Sequence, residues 1–274
     1  MLSKKLGVIV PYRNRKPHLE IFLPHMEKYL KKHNIDFHIY VIHQKDDNLF
    51  NKGFLVNTGF HITFPHVDYF CLHDVDTLVN NENNIYYYRD YPCNLVKDMP
   101  DMRRILGFID DNNRFFGGVL ILNKDHVIKT NGYSNNFWGW GGEDDNFLFR
   151  LEKENIINGS IKNYREQTGR FKTLSHTRET TCSIDINDDI NNVRSTSGGG
   201  HKNYNNIILL DRLGREGKLD NRIDGYNQIN YEILETRRLS DYATMYDIKN
   251  NNEPNYVLGE PMTEEFINTL LIKK

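Results

Sequence analysis

The N-terminal part of the chain alternates short apolar segments with longer amphipathic ones, and this alternation limits the folds that it can adopt. Leu6–Val10, Asp36–Ile42 and Tyr69–Leu72 are short, mostly apolar runs of the kind that form buried strands. Lys16–Lys32 carries apolar residues at helical spacing, and Asn51–Phe60 begins a second helix. The order strand, helix, strand, helix, strand predicts an α/β fold with a mostly parallel central sheet.

The rest of the chain is predicted to complete a single domain. Phe116–Leu122 is a further apolar strand, and Tyr226–Leu239 alternates weakly between apolar and polar residues, as a strand would. Segment 184–202 is polar and ends in glycines, which predicts a loop. We place the domain at residues 1–240 and expect residues 241–274 to form a C-terminal linker and a short helix.

The composition excludes some classes of function. The chain has 35 basic and 37 acidic residues, and this balance argues against a dedicated nucleic-acid-binding protein. It contains no run of about 18 apolar residues, so no membrane span is predicted. The first apolar run, Leu6–Val10, is too short for a secretion signal. We therefore expect a soluble chain, cytoplasmic by default, and its many Asn, Ile and Lys residues suggest an AT-rich genome such as that of a virus or protist.

The three cysteines, Cys71, Cys93 and Cys182, show no spacing typical of a metal site. Without a secretion signal, free buried thiols are favoured over a disulfide between Cys71 and Cys93. The sequence leaves that pairing open.

Two carboxylates follow the third predicted strand, in Asp74-Val75-Asp76. In a parallel sheet, ligands bind at the edge formed by the carboxyl ends of the strands, and Arg13-Asn14-Arg15 follows the first strand at the same edge. Carboxylate oxygens suit a hard divalent cation, which can also bind a pyrophosphate. Such acid pairs also occur in ordinary solvated turns, so the motif alone leaves both interpretations open.

Both tryptophans lie in one short segment, Phe137–Asn146, together with three glycines and three acids. Aromatic faces beside carboxylates are typical of sugar binding, and the glycines let a ligand approach the backbone closely. An acid in such a semi-apolar pocket is a candidate general base. The alternative is a buried aromatic corner followed by the acidic first turn of a helix, which is predicted over Asp145–Glu152.

Isolated cationic and imidazole side chains complete the set of candidates. Arg13, Arg15 and Lys52 are candidate phosphate contacts, and the alternative is that they are ordinary surface cations. His176 stands apart from other histidines, and a lone histidine is more often structural than a metal ligand.

Taken together and in their order along the chain, these sequence segments resemble those of the β-1,4-galactosyltransferase family. The resemblance spans roughly residues 6–182, with weaker similarity to Leu234, and the tryptophan-glycine-acid block is its most specific part. The matching blocks are Val10-Pro11-Tyr12-Arg13-Asn14-Arg15, Phe50-Asn51-Lys52, Asn57-Thr58-Gly59-Phe60, Asp74-Val75-Asp76, Phe116-Gly117-Gly118-Val119, Asn131-Gly132-Tyr133 and Phe137–Asp145.

The resemblance implies a GT-A fold, which is a Rossmann-like nucleotide-sugar domain with a mobile tryptophan loop. It implies inverting transfer of galactose from UDP-galactose to an acceptor sugar such as N-acetylglucosamine, with Mn²⁺ as the metal and Mg²⁺ as the alternative. About residues 1–125 would form the donor half and 126–240 the acceptor half. The implied partners are a nucleotide-sugar donor and a glycan acceptor, and the oligomeric state stays open.

The resemblance also implies roles for individual residues. Asp144 would be the catalytic base, and Asp76 and His176 would be metal ligands. The residues implied at the UDP-sugar are Pro11, Arg13, Arg15, Phe50, Lys52, Asp74, Val75 and Trp140, the last closing over the donor. The residues implied at the transferred or accepting sugar are Phe115, Gly142, Glu143, Asp144 and Asp145.

Three positions depart from the family's pattern. Phe115 stands where many relatives have a tyrosine that helps to choose the donor, so the choice of donor stays open. Thr173 stands where some relatives place a methionine ligand, which leaves the third metal ligand and the preferred metal open. Lys52 replaces an arginine and offers a point charge instead of a bidentate fork.

Two other interpretations remain. One is the same fold with UDP-N-acetylgalactosamine, UDP-glucose or UDP-xylose as the donor, which Phe115 motivates. The other is a non-catalytic sugar-binding module, which the presence of Asp76, Asp144 and His176 disfavours.

Overall fold

The part of the chain that the structure describes builds one seven-stranded sheet and two small two-stranded ones. The computed structural model describes residues 4–98, 115–175, 183–185, 201–203, 206, 209–210 and 224–254. In chain order the strands are β1 (Leu6–Tyr12), β2 (Phe37–Gln44), β3 (Tyr69–His73), β4 (Thr77–Val79), β5 (Cys93–Asn94), β6 (Val119–Asn123), β7 (Phe171–Thr173), β8 (Ser183–Asp185), β9 (His201–Asn203), β10 (Tyr231–Ser240) and β11 (Ala243–Asn250).

The large sheet has the order β10-β11-β2-β1-β3-β6-β5, and strands β4 with β7 and β8 with β9 form the small sheets. Its four central strands, β11, β2, β1 and β3, are parallel, whereas β6, β5 and β10 add antiparallel edges. The predicted α/β fold with a parallel centre is therefore confirmed, and the complete sheet is mixed.

Helices cover both faces of this sheet. They are α1 (Lys16–Lys32), α2 (Lys52–Thr63), α3 (Lys124–Thr130) and α4 (Glu143–Lys153), with short 3₁₀ turns at Ile161–Tyr164 and Tyr226–Gln228. The bounds of α1 match the prediction. Helix α2 begins after Asn51, whose side-chain oxygen accepts a hydrogen bond from the Phe54 N–H at 2.9 Å, and this cap fixes where Lys52 lies.

Alternating side chains of β1 divide the hydrophobic core in two. Val8 and Val10 lie in the cluster covered by α1, and Ile9 lies in the cluster covered by α2. Each fully buried leucine, valine or phenylalanine contributes about 1.5–3 kcal/mol through burial, so these clusters hold the carboxyl edge of the sheet rigid. Helix α1 contributes Leu19, Phe22, Met26 and Leu30, and helix α2 contributes Phe54, Leu55, Val56 and Phe60.

Strand β11 corrects the predicted domain boundary at residue 240. It pairs in parallel with β2, with Met245 opposite Val41, and it buries Ala243 and Ile248 completely. Residues 243–250 therefore belong to the central sheet and are not a linker. Residues 255–274, which include the short helix predicted at the C-terminus, lie outside the described residues.

Cys71 and Cys93 are buried free thiols, as the sequence favoured, and Cys182 lies outside the described residues. Burial raises the pKa of Cys93 to about 12, so its thiol stays neutral. Among the helices that the structure describes, none combines the length and the apolar character needed to span a bilayer.

Candidate functional site

The candidate site lies at the carboxyl edge of the central strands. Pro11 near the end of β1, Asp74 after β3, Lys52 at the start of α2 and Asp144 in the first turn of α4 line one pocket. These four residues were all predicted at the site, and the fold brings them together from four separate segments.

One ammonium group holds three carboxylates in this pocket. The Nζ atom of Lys52 lies 3.0 Å from Asp144 Oδ2, 3.3 Å from Asp74 Oδ1 and 3.5 Å from Glu143 Oε1. Only 14% of the Lys52 side chain is exposed. Burial lowers the pKa of Lys52, but the three carboxylates outweigh burial and hold that pKa well above its usual value. Lys52 is therefore charged, and the cluster still carries an excess of acidic groups.

This excess affects the acids themselves. Burial and the adjacent Asp144 carboxylate together raise the pKa of Glu143 to about 7, against the opposing effect of Lys52. Burial and the nearby carboxylates of Asp76 and Asp144 also raise the pKa of Asp74, while Lys52 lowers it. Glu143 Oε2 is buried and has no hydrogen-bond partner among the described residues. The pocket can therefore accept additional positive charge or hydrogen-bond donors.

Asp144 is held from several sides. Lys52 contacts both of its oxygens, and the Tyr133 hydroxyl donates to Asp144 Oδ1 at 3.3 Å. A Cβ atom on Gly117 would lie 2.1 Å from Asp144 Oδ2, so a larger residue at position 117 would displace the Asp144 carboxylate. Tyr133 belongs to one of the sequence blocks that resemble the family, but no local signal shows that its hydroxyl reaches Asp144.

The tryptophan segment combines both interpretations that the sequence left open. Trp138 is buried and belongs to the packed interior, whereas Trp140 is only half-buried. Helix α4 begins at Glu143, two residues earlier than predicted, and Gly142 precedes it with φ of 90°, a left-handed conformation that favours glycine. Glu143, Asp144 and Asp145 thus occupy the first helical turn, where carboxylates are stabilised by the helix dipole.

Two contacts fix this segment beside the pocket. The Gly139 N–H donates to the Phe50 carbonyl at 2.7 Å. The Asn206 side-chain amide donates to the carbonyls of Gly141 at 2.6 Å and Trp138 at 3.2 Å. Asn206 was not predicted, because it lies far along the chain in a segment without a recognisable motif.

The region around Asp76 is built by the small sheet of β4 and β7. Thr77 is paired with Thr173, and the Leu174 N–H donates to the Asp76 carbonyl at 2.7 Å. The Thr77 hydroxyl donates to Asp76 Oδ1 at 3.1 Å. This pairing brings the end of β7 to Asp76. His176, two residues after Leu174, lies outside the described residues.

Oxygen atoms in this region fit a hard divalent cation. Asp74 and Asp76 supply carboxylates, and the Thr173 hydroxyl oxygen is buried without a hydrogen-bond partner among the described residues. In the described part of the chain, no three His, Cys, Asp or Glu side chains are grouped so that they could hold a metal ion. A complete metal site therefore needs an additional ligand from elsewhere in the chain, from solvent or from the substrate.

Several other predicted residues lie outside the pocket lining. Arg13 lies over the Phe50 ring, 5.8 Å from its centroid, and Arg15 precedes α1. Val75 is buried, so only its backbone can face a ligand. Phe115 is half-buried and packs against the core on the α1 side, and its carbonyl accepts a hydrogen bond from Arg165 at 2.8 Å.

Together, a parallel sheet with paired acids at its carboxyl edge and a tryptophan-glycine-acid segment beside them define the GT-A class of glycosyltransferase folds. Two family models match the chain: the N-terminal region of glycosyl transferase group 7 at residues 1–89, and the N-terminal domain of galactosyltransferase at residues 102–177. The chain belongs to the β-1,4-galactosyltransferase family.

Individual relatives agree with this assignment. Human β-1,4-galactosyltransferase 4 is 35% identical over 233 residues, which is 84% of this chain and 59% of the relative. The mouse protein of the same name is 30% identical over 244 residues, covering 88% of this chain and 62% of the relative. Drosophila melanogaster β-1,4-galactosyltransferase 7 is 36% identical over 172 residues, covering 63% of this chain and 52% of the relative. The chain thus spans less than two thirds of the length of these relatives.

Two solved structures share the fold. The catalytic domain of Drosophila β-1,4-galactosyltransferase 7 in complex with xylobiose matches with a TM-score of 0.65 and 27% identity, covering 92% of this chain and 96% of that one. An Asp-to-Asn mutant of the same Drosophila protein, in complex with manganese, UDP-Gal and xylobiose, matches with a TM-score of 0.63 and 26% identity over the same shares of the two chains.

Proposed function

We propose that this protein is a metal-dependent, inverting galactosyltransferase that transfers galactose from UDP-galactose to an acceptor sugar. One observation carries the proposal: Asp74, on the donor side, and Asp144, the candidate base, both lie within 3.3 Å of the single Lys52 ammonium. The residues assigned to donor binding and to proton removal therefore lie in the same pocket. The Drosophila relative that binds manganese, UDP-Gal and xylobiose supports the same reaction class.

The donor is assigned to the part of the chain before about residue 125, and the acceptor to the part after it. Arg13, Arg15 and Lys52 supply positive charge for the pyrophosphate of the donor. The Phe50 ring offers a flat apolar face for the uracil ring of UDP. Trp140, whose side chain is only half-buried, is assigned to close over the donor and exclude water.

Asp76 and His176 are the proposed protein ligands of Mn²⁺, with Mg²⁺ as the alternative, and the buried Thr173 hydroxyl is a candidate oxygen ligand. When bound, the metal neutralises negative charge that develops on the departing UDP. The chain that leads to His176 is hydrogen-bonded to the Asp76 backbone, which supports this pairing of ligands.

Asp144 is the proposed base that removes the proton from the acceptor hydroxyl. Lys52 contacts both oxygens of Asp144, so the Lys52 ammonium has to turn away from at least one oxygen before that oxygen can take a proton. The donor pyrophosphate offers Lys52 an alternative negative partner. Glu143 Oε2 is buried and has no hydrogen-bond partner within the described ranges, and Glu143 is assigned to sugar hydroxyls together with the neighbouring Gly142 and Asp145.

A donor panel tests the proposed function. The protein is incubated with Mn²⁺ and UDP-galactose, UDP-N-acetylgalactosamine, UDP-glucose or UDP-xylose, and UDP release is measured with and without N-acetylglucosamine and xylose-containing acceptors. We expect the fastest release with UDP-galactose, and an increase of at least about tenfold when an acceptor is present, because the acceptor hydroxyl is the nucleophile.

Chelation of the metal is the internal control of this panel, and it is expected to abolish release. If another UDP-sugar reacts faster than UDP-galactose, the donor assignment is wrong and Phe115 becomes the residue to exchange. If no donor releases UDP with any acceptor, the protein is a sugar-binding module and the proposed activity is rejected.

A further inference from the structure

The Tyr133 hydroxyl is a second donor to Asp144, and its surroundings differ from those of Lys52. Lys52 is shared among three carboxylates and can exchange one partner for another. Tyr133 is 1% exposed, and its only side-chain hydrogen bond in the described residues goes to Asp144 Oδ1 at 3.3 Å. Burial, together with the adjacent Asp144 carboxylate, raises the pKa of Tyr133 well above its usual value. The hydroxyl therefore keeps its proton and remains a donor.

Tyr133 is fixed on both its ring and its backbone. Its ring stacks on Phe147 of α4, with centroids 4.2 Å apart and an interplanar angle of 10°. The Asn57 side chain accepts from the Tyr133 N–H at 2.9 Å and donates to the Tyr133 carbonyl at 2.8 Å. Both Asn57 and Phe147 belong to helices, so the hydroxyl projects from a rigid platform.

Gly117 makes room for the second oxygen of Asp144. The missing side chain of Gly117 leaves the space that Asp144 Oδ2 occupies, since a Cβ there would lie 2.1 Å from that oxygen. Asp144 is thus confined between a rigid hydroxyl at Oδ1 and the chain at Gly117. Of the contacts that Asp144 makes, the ion pair with Lys52 is the one best able to break when a charged ligand binds.

We propose that Tyr133 is a positioning residue for Asp144: its hydroxyl holds Oδ1 while Lys52 moves away, and this leaves Oδ2 to take the proton of the acceptor hydroxyl. The inference rests on the proposed function, because it assigns Asp144 as the base. In the transfer step, the acceptor oxygen forms the bond to the galactose anomeric carbon, the bond from that carbon to UDP breaks, and the acceptor proton passes to Asp144.

The variant Tyr133→Phe removes the hydroxyl and keeps the ring stacked on Phe147. We expect kcat to fall about 10- to 100-fold, the range for losing a hydrogen bond to a charged group, with the KM for UDP-galactose changed less than about twofold. The acidic limb of the kcat–pH profile should move to higher pH, because the carboxylate loses a donor that stabilises its charged form. A merely structural role would not move this limb.

Tyr69→Phe is the matched control. Tyr69 is also a buried tyrosine, and its hydroxyl donates to the Tyr86 carbonyl at 2.9 Å. This control should keep the wild-type kcat and pH profile. In an Asp144→Asn background, Tyr133→Phe should have no further effect on kcat, because the two residues act as one unit.

Unchanged kcat and pH profile in Tyr133→Phe, or an equal loss in the Asp144→Asn background, would overturn the assignment. A crystal structure of Tyr133→Phe provides a readout that does not depend on activity: the Asp144 carboxylate should leave its position or occupy two. An unmoved carboxylate overturns the positioning role even if the wild type transfers galactose. A displaced carboxylate in a protein without transferase activity supports the positioning and rejects only the proposed function.

Discussion

Replacing Asp144 with asparagine is expected to lower kcat for galactosyl transfer by about 10² to 10⁴, the usual contribution of a general base. Asparagine keeps the shape of the side chain and one oxygen for the Tyr133 hydroxyl, but it cannot take the acceptor proton. Lys52 keeps its ion pairs with Asp74 and Glu143. The affinity for UDP in the presence of Mn²⁺ should therefore stay within a few-fold of the wild type.

Asp125→Asn is a suitable control for this variant. Asp125 is an exposed acid in the first turn of α3, so the control makes the same substitution at the same kind of helical position. Turnover and UDP binding are measured for both variants, with thermal unfolding to compare their stability. If Asp144→Asn keeps full turnover, Asp144 is not the base.

Replacing Asp76 with asparagine is also expected to have a large effect, in this case on the metal-dependent binding of UDP. The charged oxygen just before β4 is lost, so UDP binding that depends on Mn²⁺ should weaken at least about tenfold, or about 1.4 kcal/mol. Binding of UDP without metal should change little. Titration calorimetry with UDP, with and without Mn²⁺, measures the metal-dependent and the metal-independent affinity separately.

Asp36→Asn serves as the control for Asp76→Asn. Asp36 is exposed and precedes β2, which places it at the amino edge of the sheet, opposite the candidate site. This control should bind UDP and Mn²⁺ as the wild type does. Equal metal-dependent affinity in Asp76→Asn and in the wild type would remove Asp76 from the ligand set.

The central strands could be predicted because parallel strands are buried on both faces and leave continuous apolar runs. Helix α1 was predicted to its bounds, since its buried residues follow helical spacing. Strand β11 was assigned to a linker because its burial is interrupted by polar residues, and because its partner, β2, lies about 200 residues earlier in the chain. Such a long-range pairing leaves no signal in the local pattern.

At the candidate site, residue types and their order pointed to Asp74, Asp76 and Asp144, but the contacts among them could not be predicted. Lys52 contacts its three carboxylates only because three parts of the fold come together in space. These are the helix cap at Asn51, the end of β3 and the start of α4. The role of Tyr133 depends on one hydroxyl reaching 3.3 Å from Asp144. Both are consequences of tertiary packing, which a motif does not encode.

The anomeric configuration of the product shows whether Asp144 acts as the base of an inverting transfer. UDP-galactose carries its sugar in α linkage, and a base on the acceptor side, opposite UDP, leads to a single displacement with inversion. The product formed with Mn²⁺ and a sugar acceptor is analysed by proton NMR. We expect a β-linked galactoside that forms in the wild type and is nearly absent in Asp144→Asn. An α-linked product, or one whose yield is unaffected by Asp144→Asn, would contradict this expectation.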